Sequence, residues 1–153
     1  MKDKGITYYK NGNIKKEIYY KNSMVHREDG PAVIEYRINS KVKEEEYYYN
    51  GLIHRDDGPA IINYYNDGSI KLEKYYQNGE LHRLDGPTII NYYENGKIAA
   101  ILYFVNDQLH RIDGPAWVWY DENGIMFKEE YWLYSNRYED ILTWSVLVGS
   151  IEV

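Results

Sequence analysis

His54-Arg55-Asp56-Asp57-Gly58-Pro59-Ala60 is one of four copies of a seven-residue phrase. The others are His26-Arg27-Glu28-Asp29-Gly30-Pro31-Ala32, His82-Arg83-Leu84-Asp85-Gly86-Pro87-Thr88 and His110-Arg111-Ile112-Asp113-Gly114-Pro115-Ala116. Successive histidines stand 28 residues apart (54−26, 82−54, 110−82), and the phrases hold all four histidines and all four prolines. A fixed period in this range marks a repeat architecture, in which each unit buries its apolar face on its neighbours.

Counting each histidine as position one puts the rest of the chain in register. Residues 1–25 form a truncated unit without the phrase, and units start at 26, 54, 82 and 110. The ninth position is Ile6, Ile34, Ile62, Ile90 and Val118, and the eleventh is Tyr8, Tyr36, Tyr64, Tyr92 and Tyr120. The twenty-second is Tyr19, Tyr47, Tyr75, Tyr103 and Tyr131, and the twenty-third is always aromatic: Tyr20, Tyr48, Tyr76, Phe104 and Trp132. Two turn slots separate these columns, one with Asn11-Gly12, Asp67-Gly68, Asn95-Gly96 and Asn123-Gly124, the other with Asn50-Gly51 and Asn78-Gly79. Such pairs tolerate the positive φ of tight hairpin turns, and Tyr, Ile and Val favour a pleated, half-buried surface. Each repeat therefore reads strand, turn, strand, turn, with strands at residues 60–65 and 70–76 in the unit that starts at His54.

Side chains alternate along a strand. If Asp67-Gly68 closes the hairpin, positions seven, nine and eleven share a face with eighteen, twenty and twenty-two. That face is uniform (Ala, Ile and Tyr opposite Lys, Glu and Tyr), so its side chains should stack into ladders. The opposite face carries the twenty-third column among variable residues. Two strands per repeat predict roughly nine to eleven antiparallel strands in one twisted sheet. The central Ile34, Ile62, Ile90, Tyr36, Tyr64 and Tyr92 should be better buried than their column-mates at both ends.

Proline fixes φ and has no N–H, so Asp-Gly-Pro marks a bend. Glycine is the least restricted residue ahead of it, and Asp is placed to accept backbone N–H groups and lock the bend. His26, Arg27, Asp29 and Gly30 are accordingly read as a structural turn motif. So are His54, Arg55, Asp57 and Gly58; His82, Arg83, Asp85 and Gly86; and His110, Arg111, Asp113 and Gly114. The array occupies residues 1–134, and 135–153 breaks the pattern. Asn136 with Glu139 three residues on resembles a capping box, and Gly149 reads as a stop. These predict a short helix capping the last repeat, although Val146 and Val148 leave a strand open.

A two-stranded repeat with Tyr-Tyr-x-Asn-Gly and a His-containing turn resembles the MORN-type repeat. Over residues 5–134 the chain is more similar still to the His-Arg-x-Asp-Gly-Pro-Ala arrays of viral, phage and bacterial proteins. The resemblance implies a mainly β fold: an elongated, single, twisted antiparallel sheet of stacked hairpins. It also implies a scaffold or binding role without catalysis, such as that of a viral or phage protein that binds and blocks a host factor.

Bulk properties narrow the partners. The chain has 153 residues, no cysteine and a net charge of −6. The charge argues against nucleic acid, whose binding rests on neutralising phosphates. Absence of cysteine suits a cytoplasmic or otherwise intracellular, reducing setting. No secretory signal is read at the start, and no apolar run approaches the ~18 residues of a membrane span. Tyr outnumbers Phe by 19 to 2, which suits a half-wet surface, since tyrosine joins an apolar ring to a polar tip.

The His/Asp phrase invites a metal reading, but equivalent histidines two strands apart lie roughly 9.5 Å from one another. One zinc ion needs its ligand atoms within about 4.2 Å of each other, so no metal and no cofactor is expected. The histidine should instead donate to the Asp or to a backbone carbonyl, and the arginine pair with a neighbouring repeat's carboxylate. Glu17, Glu45, Glu73 and Glu129 should join the arginines in an ion-pair ladder.

The functional candidates are aromatic. All four tryptophans lie in the last repeat and tail, and Trp117, Trp119 and Trp132 fall on the variable face with Tyr20, Tyr48, Tyr76 and Phe104. Either the C-terminal helix covers the tryptophans or they form a protein-binding patch. A carbohydrate- or cell-wall-binding module is the alternative, since Tyr-Tyr and Asn-Gly hairpins are also similar to choline- and glucan-binding repeats; those carry a Trp in nearly every unit, whereas the units starting at 26, 54 and 82 have none. Lys2, Lys4 and Lys10 surround the N-terminal edge strand and would repel one another in a symmetric pair, so a monomer is expected.

Overall fold

The structure is a computed structural model and describes residues 3–139 and 141–151. Among them are eighteen strands and one helix, in two compact units, residues 1–80 and 81–153.

The first unit holds β1 (Asp3–Tyr8), β2 (Ile14–Lys21), β3 (Met24–Val25), β4 (Val33–Tyr36), β5 (Val42–Glu46), β6 (Tyr48–Tyr49), β7 (Leu52–Ile53), β8 (Ile61–Tyr64), β9 (Ile70–Lys74) and β10 (Tyr76–Gln77). Its sheet runs β1-β2-β4-β5-β8-β9, antiparallel throughout, with β3 beside β2 and β6 beside β7. After β11 (Glu80–Leu81) at the boundary, the second unit holds β12 (Ile89–Tyr92), β13 (Ile98–Leu102), β14 (Phe104–Val105), β15 (Gln108–Leu109), β16 (Trp117–Tyr120), β17 (Met126–Leu133), β18 (Asn136–Tyr138) and α1 (Ile141–Ile151). Its sheet runs β12-β13-β16-β17-β18, with β14 beside β15.

Eighteen strands stand against the expected nine to eleven because three second strands break at the twenty-second position and five strands of two or three residues return from the second turn slot; the other ten are the two strands of each hairpin. Tyr47 gives its N–H to the Ala60 carbonyl at 2.7 Å, and its own carbonyl takes the His54 N–H at 3.0 Å. The chain then resumes as the two-residue ladder β6–β7 around Asn50 and Gly51, both at positive φ (49° and 84°). Asn106 and Asp107 hold the same geometry without glycine (49° and 62°), so that hairpin survives as expected. The other turn slot differs. At Asn11-Gly12 the glycine alone has positive φ, 87°, and its N–H bonds back to the Tyr9 carbonyl at 3.0 Å. This turn inserts one extra residue, a bulge. Tyr64 therefore faces Ile70, one residue short of the simple hairpin register.

Beyond the bulge the expected faces hold. Ile34 pairs with Glu45, and Ile62 with Glu73. Ile34, Ile62 and Ile90 are 9, 8 and 9% exposed, against 37% for Ile6. The other end corrects the expectation: Val118 is 5% exposed. It is an interior residue, because β16 has Ile101 across one edge and Glu129 across the other. At the seventh position Ala32, Ala60, Thr88 and Ala116 are all fully buried. Thr88 fits an alanine slot because its hydroxyl donates to the Phe104 carbonyl (3.0 Å) and accepts the Phe104 N–H (2.8 Å).

The tail is helical but not capped as expected. Asn136 lies in β18 and donates its amide to the Leu133 and Tyr134 carbonyls, and α1 runs past Gly149. Trp144 anchors the helix, 8% exposed, with its ring 4.9 Å from that of Tyr131. Earlier tyrosines of this column carry an arginine over the ring instead, Arg27 on Tyr19, Arg55 on Tyr47 and Arg111 on Tyr103, at 4.1, 4.0 and 3.9 Å. Trp144 thus fills the slot that the next repeat's arginine would occupy. Tyr131 belongs to the uniform face and its neighbour Trp132 to the variable one. Trp144 therefore packs on the side away from Trp117, Trp119 and Trp132, and the helix is not the cover proposed for them.

Candidate functional site

The phrase residues come together as a clamp within each repeat. Arg27, Arg55, Arg83 and Arg111 donate Nε to Asp29, Asp57, Asp85 and Asp113 at 2.9, 2.7, 2.8 and 2.6 Å. Each also donates Nη1 to the carbonyl of its own phrase's proline, at 3.2 to 3.3 Å. The arginine therefore pairs inside its own phrase and not with a neighbouring repeat. The guanidinium holds the exposed Asp57, Asp85 and Asp113 carboxyls below the usual range. The glycine serves this fold-over, since a Cβ on Gly58 or Gly86 would lie 3.1 or 3.0 Å from the arginine Cζ.

The histidine joins one repeat to the next. Nδ1 of His26, His54 and His110 accepts the backbone N–H of Asn50, Asn78 and Tyr134 at 2.9, 3.1 and 3.3 Å. This leaves the ring proton on Nε2, which in His26 and His54 faces Glu28 and Asp56 at 3.3 and 3.2 Å. His82 meets the Asn106 side chain instead, at 2.7 Å. In place of the expected bond to the Asp before the glycine or to a backbone carbonyl, Nδ1 of His26, His54 and His110 accepts from the next repeat. Among the described residues no group of three or more His, Asp or Glu could hold a metal ion. A groove of about 480 Å³ lies between two phrases, lined by Arg27, Asp29, Tyr48, His54, Arg55 and Asp57. Both of its arginines are already clamped to aspartates.

Glu17, Glu45 and Glu129 of the glutamate column accept from tyrosines. Glu17 accepts from the Tyr19 and Tyr36 hydroxyls (3.2 and 3.4 Å) and from Lys4 (2.9 Å). Glu45 accepts from Tyr64 at 2.8 Å, and Glu129 from Tyr131 at 3.1 Å. Burial alone would push the Glu17 carboxyl up, but these donors hold it below its ordinary value. Burial and the Glu45 charge raise the Tyr64 hydroxyl.

The variable face differs between the units. In the first unit it is charged: Glu35 stands opposite Glu44, and Lys16 and Lys43 bridge Glu35 at 3.2 and 2.9 Å. Tyr48 donates to Glu46 at 2.9 Å, and burial with this partner pushes its hydroxyl up to about 12. Tyr20, Tyr48 and Tyr76 are half-buried on this face. In the second unit the same face is apolar. Ala100 and Leu102 lie opposite Trp119 and Trp117, where the first unit pairs Glu44 with Asn63 and Glu46 with Ile61.

The two indole rings stack at 4.2 Å and 24°. Lys128 Nζ stands 4.1 Å over Trp119 and 2.9 Å from buried Glu130, which also takes the Trp132 Nε1 proton at 3.2 Å and faces Arg137 at 3.6 Å. Burial would raise the Glu130 carboxyl, but these donors and charges keep it low. Trp117 Nε1 is buried and has no hydrogen-bond partner among the described residues. Trp117, Trp119, Trp132 and Phe104 are all half-buried. The site offers stacking, cation–π and dispersion contacts. The sequence had singled out these tryptophans. Lys128 and Glu130 were missed, and their spacing of nine and eleven residues from Trp119, which sets them across the hairpin, was the available signal.

Two segments, residues 4–22 and 88–106, match the MORN repeat variant. They lie 84 residues apart (88−4), three periods of 28, and each covers positions seven to twenty-five, the hairpin without the His-Arg clamp. No curated protein and no solved structure matches the chain.

Proposed function

We propose that the protein is a non-enzymatic repeat module that binds a protein partner through the variable face of its second unit. The observation that carries this is the stacked Trp117–Trp119 pair, set among Ala100, Leu102 and Lys128 on the face away from Trp144. Tryptophan and arginine in desolvated surroundings carry most binding energy at protein interfaces, and Arg137 stands beside Trp132 through Glu130. The reading extends to a cysteine-free chain working inside cells, and to a viral or phage protein that occupies a host factor in this way. A sugar-binding module would repeat such a platform along the array, whereas here all the tryptophans follow residue 116.

The test compares partners retained by the wild type, by Trp119→Ala and by Tyr20→Ala. A partner kept by the wild type and Tyr20→Ala but lost with Trp119→Ala supports the face. Equal retention by all three, with unchanged circular dichroism, refutes it.

A further inference from the structure

The repeat pattern ends on two unfilled strand edges that match one another. β17 pairs with β16 on one side, and with β18 only through residues 131–133 on the other. Among the described residues no strand pairs with the outer edge of Lys128, Glu129 and Glu130. Inside each unit the equivalent triplet receives three residues of the next repeat. Glu44, Glu45 and Glu46 take Asn63, Ile62 and Ile61, while Ala100, Ile101 and Leu102 take Trp119, Val118 and Trp117. The array thus displays what this edge accepts: a strand with Ile or Val at its centre and Tyr two residues on, whose hydroxyl can reach the glutamate of the triplet, as Tyr64 reaches Glu45.

β1 is such a strand. It reads Gly5-Ile6-Thr7-Tyr8, pairs among the described residues only with β2, and is exposed along its whole length. Ile6 is far more exposed than its column-mates, and Tyr8 is 59% exposed. On β17, Glu129 is exposed and accepts from Tyr131 of its own strand.

We propose that a second copy of this chain adds its β1 to the outer edge of β17, head to tail, pairing Gly5 with Glu130, Ile6 with Glu129 and Thr7 with Lys128. Strand addition supplies main-chain hydrogen bonds, and alternate side chains give specificity. The lysines around β1 favour a monomer only against a symmetric pairing of two β1 edges. In the head-to-tail contact Lys4, which bridges Glu17 in its own chain, approaches an edge that carries Glu129 and Glu130. The contact is heterologous and leaves an edge free at each end, so it extends beyond a dimer. A ladder this short makes the association weak and dependent on concentration.

Sedimentation velocity over a concentration series into the high micromolar range tests this. The wild type is expected to gain mean mass with concentration. Glu129→Lys, which reverses an exposed charge, and Ile6→Lys, which spoils β1, should each stay monomeric alone. Mixed in equal amounts they should form a one-to-one dimer that grows no further, because each keeps one working edge. If Ile6→Lys melts below the wild type, Tyr8→Glu replaces it as the β1 variant. A wild type that stays monomeric throughout, a Glu129→Lys that associates like the wild type, or a mixture without dimer overturns the proposal. Trp119→Ala should associate as the wild type does, which separates this contact from the partner-binding face.

Discussion

Removing one oxygen tests the face assignment. Tyr64 donates to Glu45 at 2.8 Å from the next strand of the uniform face. Hydrogen bonds to charged groups contribute about 1.5–3 kcal/mol. Both residues are half-buried, so screening trims the expectation for Tyr64→Phe to about 1–2 kcal/mol. Tyr8 occupies the same column but is 59% exposed, so Tyr8→Phe should cost less than about 0.5 kcal/mol. A double-mutant cycle with Glu45→Gln isolates the pair, with an expected coupling of about 1 kcal/mol. Urea unfolding followed by far-UV circular dichroism gives each free energy. Coupling near zero, or equal losses at Tyr64 and Tyr8, would refute the assignment of position eleven and the glutamate column to one interior face.

Thr88→Val should destabilise by about 1–3 kcal/mol, because it strands the Phe104 N–H that the hydroxyl serves. Faster amide exchange at Phe104 would check it. Arg55→Ala should lower the melting temperature more than Asp57→Ala. The guanidinium also covers Tyr47 and holds the Pro59 carbonyl, whereas the Asp57 carboxylate is exposed; equal shifts would contradict this. Burial lowers the His110 pKa. The unfolded imidazole takes up its proton near pH ~6.5 and the folded one only in more acid solution. Between these values the unfolded chain binds more protons, so stability present at neutral pH is lost as pH falls. His110→Gln should flatten the decline between about pH 7 and 5, and an unchanged slope of melting temperature against pH would count against it.

The period, the hairpins and the two faces were legible because the same residue types recur at the same positions. Ile34 opposite Glu45 follows from alternation alone. The bulge was hidden because Asp67-Gly68 suits either a two-residue turn or a type I turn ending in a left-handed glycine, and only the ladder distinguishes them. The arginine clamp was missed because Arg55 and Asp57, two apart, face one another only after the Gly-Pro bend brings them together. The role of Trp144 left one trace in the sequence. Tyr131 keeps its column, but Glu139 stands in the arginine's place, so the ring needed another partner.

The links between repeats are all short in sequence. The bonds from Tyr9 to Tyr36 and from Asn95 to Glu122 each span 27 residues, and that from His26 to Asn50 spans 24. All-β proteins usually fold slowly because distant segments must meet before any contact rewards the search. Here each step closes a loop of one repeat, and another repeat would lengthen the chain without lengthening any loop. Refolding speed should therefore depend on a single period and change little with the number of periods.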